Sequence, residues 1–377
     1  MAHVLNNRDD VVVITASNSW SDKRMADHQL AAALSTRVRV VFVDPSGFRR
    51  PTIDEEDVQV IVIRPIRLPF VRLALMTLLS RRLIAWQIRR VLRRLEATRV
   101  VLLEGNVLYP VSGLIGEDAT VYWAQDDWQG LAPMMGLDPA VLARNEQMVL
   151  GRSRSVVAAN PLVAERLKDR HDKVSLIPFG ASTELFAGAV GEAPGDDHPV
   201  VLMGTLNSRI DYGILDSIVR SGVPLLIAGQ IDTAEARDAL TALQDAGRVE
   251  YLGAVDFDQL PPVLARCSAG IVPYTHSQFN RGSFPLKTVE YLAAGLPVVA
   301  TDLPAIRWLD CDDVRIEDDP AAFADVTRDL WQQGRPAAAD RMRRTGFARD
   351  HDWSERAAQF FDVLDEAGLA SRERALR

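Results

Sequence analysis

A chain of 377 residues is long for one hydrophobic core and comfortable for two domains, and its 47% hydrophobic and 25% charged content marks a folded globular protein. The formal net charge of -8 argues against a general nucleic-acid binder. Cys267 and Cys311 are too few for a disulfide framework or a cysteine-based zinc site, so a reducing cytosol is the expected setting, with neither a secretory leader at residues 6–14 nor a membrane span at residues 68–79, which Arg72 interrupts.

Apolar runs alternate with longer amphipathic segments, which predicts a doubly wound α/β architecture. In the first half the strands fall at Val11 to Thr15, Val38 to Val43, Val58 to Ile63, Val100 to Leu103, Thr120 to Ala124, Ser155 to Ala158 and Val174 to Pro178. A helix is expected from about Lys23 to Ser35, with Asp22 as its N-cap. The segment Arg64 to Arg94 carries nine arginines and no acid, alternating with Leu83, Ile84, Trp86, Ile88, Val91 and Leu92. Such a helix is either a surface for anionic lipid or a solvated face paired with acids elsewhere.

A run rich in Gly, Ala, Pro and acids follows Phe179-Gly180 and reaches Pro199, the expected linker. The alternation then restarts with strands Val200 to Met203, Leu225 to Ala228, Glu250 to Leu252, Ala269 to Val272 and Val298 to Thr301. Domains are expected at 1–180 and 181–353, and a last helix at about Ser354 to Ala367.

Ligands of parallel sheets sit beyond the carboxyl ends of the strands, so the residues there are the candidates. Gly204 lets backbone approach a ligand, and Arg209 offers a planar fork to a diphosphate. Tyr274, His276 and Arg281 follow the strand Ala269 to Val272. Ser283 and Phe284 lead into a helix that Pro285 opens, Leu286 continues and Gly295 closes, and its free N–H groups with Lys287 make an anion site. Glu290, three positions on, shares that face and suits sugar hydroxyls. In the first half, Asp126 and Asp127 lie between Trp123 and Trp128. Either Asp is a general base for an acceptor hydroxyl, with Trp128 a platform for its ring, or one Asp caps the next helix and the tryptophans are core. Glu104 and Trp20 are further candidates for acceptor contact. No Gly-x-Gly-x-x-Gly follows an early strand, which disfavours a dehydrogenase.

The run Pro-Leu-Lys-x-x-Glu-Tyr-Leu-Ala-Ala-Gly-x-Pro-Val-Val, residues 285–299, resembles the donor-binding helix of GT-B glycosyltransferases, especially the family 4-like bacterial enzymes of teichuronic acid, capsule and exopolysaccharide synthesis. The resemblance implies two Rossmann-like domains facing across a cleft, the last helix returning to the first. It also implies transfer from a nucleotide-diphosphate sugar, UDP favoured, to a cell-surface glycan or lipid-linked acceptor, without a metal. Lys287 and Arg209 would stabilise the leaving diphosphate and Glu290 would hold the ribose. The chain departs from the broader family pattern at Gly282, where that pattern has a first Glu. That departure keeps open a catalytically silent sugar-nucleotide-binding subunit, beside a GT-B-fold epimerase or phosphorylase.

Overall fold

The computed structural model describes residues 10–22, 25–45, 52–57, 60–68, 74–132, 136–188 and 198–369. The chain divides into two compact units, Met1–Pro178 with Arg356–Arg377, and Phe179–Glu355.

The first unit runs β1 (Asp10–Thr15), α1 (Ala26–Leu34), β2 (Arg39–Val43), β3 (Thr52–Asp57), β4 (Val60–Arg64), α2 (Ala74–Arg94), β5 (Arg99–Glu104), β6 (Ala119–Ala124), α3 (Trp128–Leu131), α4 (Pro139–Leu150), β7 (Ser155–Ala158), α5 (Pro161–Lys168) and β8 (Val174–Leu176). The sheet order is β3-β4-β2-β1-β5-β6-β7-β8, parallel except for the edge strand β3. Its central strands read as near-continuous apolar runs because helices cover both faces. Val11 to Ile14, Val40 to Phe42 and Val101 to Leu103 are all fully buried.

The second unit runs α6 (Thr183–Ala187), β9 (Val200–Met203), α7 (Tyr212–Arg220), β10 (Leu225–Ala228), α8 (Ala234–Ala246), β11 (Val249–Tyr251), α9 (Leu260–Leu264), β12 (Ala269–Val272), α10 (Gln278–Gly282), α11 (Leu286–Ala293), β13 (Val298–Ala300), α12 (Pro304–Leu309), β14 (Val314–Ile316), α13 (Pro320–Gln332) and α14 (Ala338–Arg349). Its six strands lie in the order β11-β10-β9-β12-β13-β14, all parallel. The strand order reverses beside β1 in one sheet and beside β9 in the other, and such reversals open crevices at the carboxyl ends. The last helix, α15 (Trp353–Ala367), stacks Phe360 edge-on against Trp123 at 5.6 Å within the first unit.

Several expectations need correction. The first helix begins at Ala26 with Met25 at its N-cap, whereas Lys23 lies outside the described residues. Val58 also lies outside them, and the strand expected there runs Val60–Arg64 beside the antiparallel β3, which was not foreseen. Residues 183–187 form α6 rather than linker, because Phe186 is fully buried and packs edge-on against Phe257 at 5.6 Å. The rest of the expected linker, residues 189–197, lies outside the described residues.

Candidate active site

In the second unit β9 and β12 pair only at Val200 with Ala269 and Val201 with Gly270, and then diverge. The divergence opens the end of the sheet at the reversal of strand order. Gly204, the first residue past β9, has φ +134, and a Cβ there would meet nothing within 4 Å. Gly229, past β10, has no such room: a Cβ would sit 1.7 Å from the Gly204 carbonyl oxygen.

The β9 and β12 loops are stitched together. Asp211 N–H donates to the Pro273 carbonyl at 2.8 Å, and Thr275 N–H to the Arg209 carbonyl at 2.9 Å. Arg209 is half-buried, its guanidinium carbon 5.0 Å from the Tyr274 ring centre and 4.7 Å from that of Phe279. Its Nε donates to Asn280 Oδ1 at 2.8 Å and its Nη2 to Ser283 Oγ at 3.3 Å. Among the described residues no carboxylate pairs with Arg209, so a half-buried cation stands there without a counter-ion.

On α11 the Lys287 ammonium donates to Glu290 Oε2 at 2.7 Å, with the Lys287 side chain 21% exposed and that of Glu290 1%. The i,i+3 spacing brings the two together on one helical face, and an arriving anion has to share the ammonium with Glu290. Pro285 occupies the N-cap rather than the first helical position, and no side chain caps the free N–H groups. Phe284 is buried and packs edge-on against Phe179 and Trp308, which fixes the approach to the helix. Leu286 packs partly buried against the core of the unit.

His276 is exposed and bonds Asp318 through Nε2 at 2.9 Å, so it has a partner of its own. Arg281 is exposed as well. The Arg307 guanidinium, hydrogen-bonded to Asp302, holds that carboxyl below its usual range, with smaller help from His276 and Arg281. This rim of alternating charge follows β12, β13 and β14.

The first unit's candidates fare differently. Glu104 is fully buried: Oε1 accepts from Thr15 Oγ1 at 2.6 Å, and Oε2 from the N–H groups of Val111 and Ser112 at 2.7 and 2.8 Å. Burial pushes its carboxyl up to about 7 despite these donors. Glu104 therefore holds the loop after β5 instead of meeting an acceptor. Trp20 is buried against His28 and Phe42, at 4.0 and 5.0 Å, and Trp128 is buried in the core beside β6. Both are packing residues rather than sugar platforms. Asp127 is 8% exposed and its carbonyl accepts from Leu131 N–H, the first bond of α3, whereas Asp126 is half-buried. Arg166 lies close enough to Asp127 for charge interaction, while pairing in bidentate fashion with the buried Glu146 at 2.8 and 2.9 Å.

Residues 199–333 match the family model described as glycosyl transferases group 1. The match lies wholly within the second unit. Over 267 residues it is 26% identical to a Bacillus subtilis protein named as a teichuronic acid biosynthesis glycosyltransferase, TuaH. That match spans 65% of this chain and 66%, just under two thirds, of the relative's length. Sucrose-phosphate synthase from Thermosynechococcus elongatus superposes with a TM-score of 0.75 at 18% identity, covering 96% of this chain and all of that one. HepE from Anabaena, solved in complex with UDP and glucose, gives 0.67 at 15% identity over 94% and 99%. These two likenesses establish the fold, two Rossmann-like units of GT-B type.

Three further residues were not among the sequence candidates. Asn280 is fully buried against Arg209. Asp27, fully buried on α1, accepts from Ser17 N–H, Asn18 Nδ2 and Gln125 Nε2, and burial raises its pKa in spite of them. Asp44 accepts from Trp20 N–H and Ser19 Oγ, so the loop after β1 is tied down from both sides. A carboxylate among Ala26, Leu30, Ala31 and Leu34 on a buried helical face was the available signal for Asp27.

Proposed function

We propose that this chain is a glycosyltransferase, moving a sugar from a nucleotide-diphosphate donor, UDP-linked by preference, to a cell-surface glycan or lipid-linked acceptor. The observation that carries the donor half is Arg209, a half-buried cation without a carboxylate partner among the described residues, at the same end of the sheet as the start of α11 with Lys287. In the reaction the bond from the anomeric carbon to the diphosphate oxygen breaks, its electron pair stays with the diphosphate, and the acceptor oxygen bonds the sugar carbon. Arg209, Lys287 and the uncapped start of α11 meet the growing charge, each donor contributing on the order of 3 kcal/mol, and the proposal assigns this work to them without a metal. The acceptor proton passes to Asp127 in an inverting reaction or to the leaving diphosphate in a retaining one. Glu290, released from Lys287, takes the ribose hydroxyls. UDP is favoured because HepE was solved with it. The relatives are named as transferases or synthases, which lends nothing to a silent subunit or an epimerase.

The proposal extends to a peripheral seat on the inner face of the plasma membrane, through α2. Its outward stripe carries Leu75, Leu78, Leu79 and Trp86, 61, 40, 37 and 46% exposed, with Arg82, Arg89, Arg90, Arg93 and Arg94 exposed beside them. Leucines and a tryptophan among arginines suit an anionic lipid interface. Arg64, paired with Asp44, and Arg81, buried against the Pro110 carbonyl, stand apart from that stripe. Among the described residues no helix is long and apolar enough to cross a membrane.

Thermal unfolding with UDP, GDP, TDP and ADP tests the donor half. A ligand at a hundredfold its Kd adds about 2.7 kcal/mol of stability, and UDP is expected to shift the midpoint most. Absence of a shift with all four nucleotides would end this reading.

A further inference from the structure

Asn280 sits on α10, 71 positions along the chain from Arg209, and is fully buried. Both ends of its amide are used on that one residue. Oδ1 accepts from the guanidinium Nε at 2.8 Å, while Nδ2 donates to the main-chain carbonyl of Arg209 at 3.0 Å and to the Thr275 carbonyl and Oγ1 at 2.9 and 3.0 Å. The neighbouring Phe279 and Tyr274 offer ring faces to the same guanidinium. The rings restrict its plane and the amide fixes its rotation within that plane.

We propose that Asn280 is a positioning residue for the diphosphate: it aims Arg209 while leaving its charge intact. Only an amide supplies what this place requires. The guanidinium Nε needs an acceptor, while the Thr275 carbonyl and the second lone pair of the Arg209 carbonyl face a donor, which a carboxylate lacks. A carboxylate would also neutralise Arg209 through a charge-assisted bond and cancel the cation that the leaving group needs. With Nε taken by Asn280 and one Nη2 proton directed to Ser283, the remaining N–H groups of the fork have no protein acceptor among the described residues. They are the ones free to receive phosphate oxygens.

The inference rests on reading the second unit as a diphosphate site, and the test separates the two. UDP and uridine binding are measured by calorimetry for the wild type, R209A, N280A, N280D and R209A/N280A, with thermal unfolding to establish that each folds. Positioning predicts that N280A and N280D each weaken UDP about tenfold and leave uridine unchanged, about 1.4 kcal/mol confined to the phosphates. It also predicts that N280A adds nothing once Arg209 is gone. A merely structural Asn280 would lower UDP and uridine affinity together, or lower UDP affinity equally in the R209A background, and either result overturns the proposal. UDP binding unchanged in N280A and N280D but lost in R209A overturns it and leaves the diphosphate site standing. UDP binding unchanged in R209A overturns both. Should N280A fail to fold, the isosteric N280D carries the test.

Discussion

The hydroxyl of Tyr291, fully buried in the middle of α11, accepts a 2.7 Å hydrogen bond from the backbone N–H of Met203, the last residue of β9. Because β12 leaves β9 after Val201, that N–H has no strand partner on the open side, and the phenol takes the place of one. The bond ties α11 to the strand that leads into Gly204 and Arg209. Gly270 on β12 makes it possible, since a Cβ there would lie 2.3 Å from the Tyr291 ring.

Tyr291→Phe is therefore expected to cost about 1–3 kcal/mol, the penalty of a buried N–H left unpaired. Gly270→Ala is expected to cost at least as much by displacing the ring. Denaturant unfolding measures both, and a Y291F protein as stable as the wild type would show the bond to be unimportant.

Lys287→Ala should lower turnover about a hundredfold through loss of transition-state charge stabilisation. It also strands the buried Glu290 carboxylate, so the variant should melt earlier. The double variant K287A/E290Q is expected to recover the melting temperature but not the activity. A purified K287A with normal turnover would take Lys287 out of the mechanism.

Glu104 makes stability depend on pH in a defined direction. Its carboxyl, raised from the ordinary 4.5 to about 7, holds a proton in the folded chain that the unfolded chain has lost. The stabilisation is complete below pH 4.5 and fades as pH rises through about 7. Glu104→Gln, isosteric and always neutral, should flatten that slope and unfold at higher denaturant than the wild type at pH 8. Parallel curves of unfolding free energy against pH for the two proteins would contradict this.

Replacing Arg89, Arg90, Arg93 and Arg94 with Gln should weaken sedimentation with phosphatidylglycerol vesicles by about fivefold per residue, at about 1 kcal/mol each. UDP binding should not change. Equal sedimentation of the wild type with phosphatidylglycerol and pure phosphatidylcholine vesicles would remove α2 as an anionic lipid surface.

What the sequence by itself determined was local. The apolar runs of buried parallel strands and the punctuation of α11 are written in consecutive residues, and Lys287 meets Glu290 because three positions make one helical face. What only the tertiary structure decided was which polar and aromatic side chains are spent inside. Trp20, Trp128 and Glu104 look the same in sequence whether they face a sugar or the core, since indole and carboxylate serve either place; folding buried all three. The partnerships that shape the site join distant positions: Arg209 with Asn280, Met203 with Tyr291 and Asp27 with Gln125 lie 71, 88 and 98 residues apart. No periodicity encodes such pairs, because they arise where separate strands, helices and loops converge towards the carboxyl ends of the sheets.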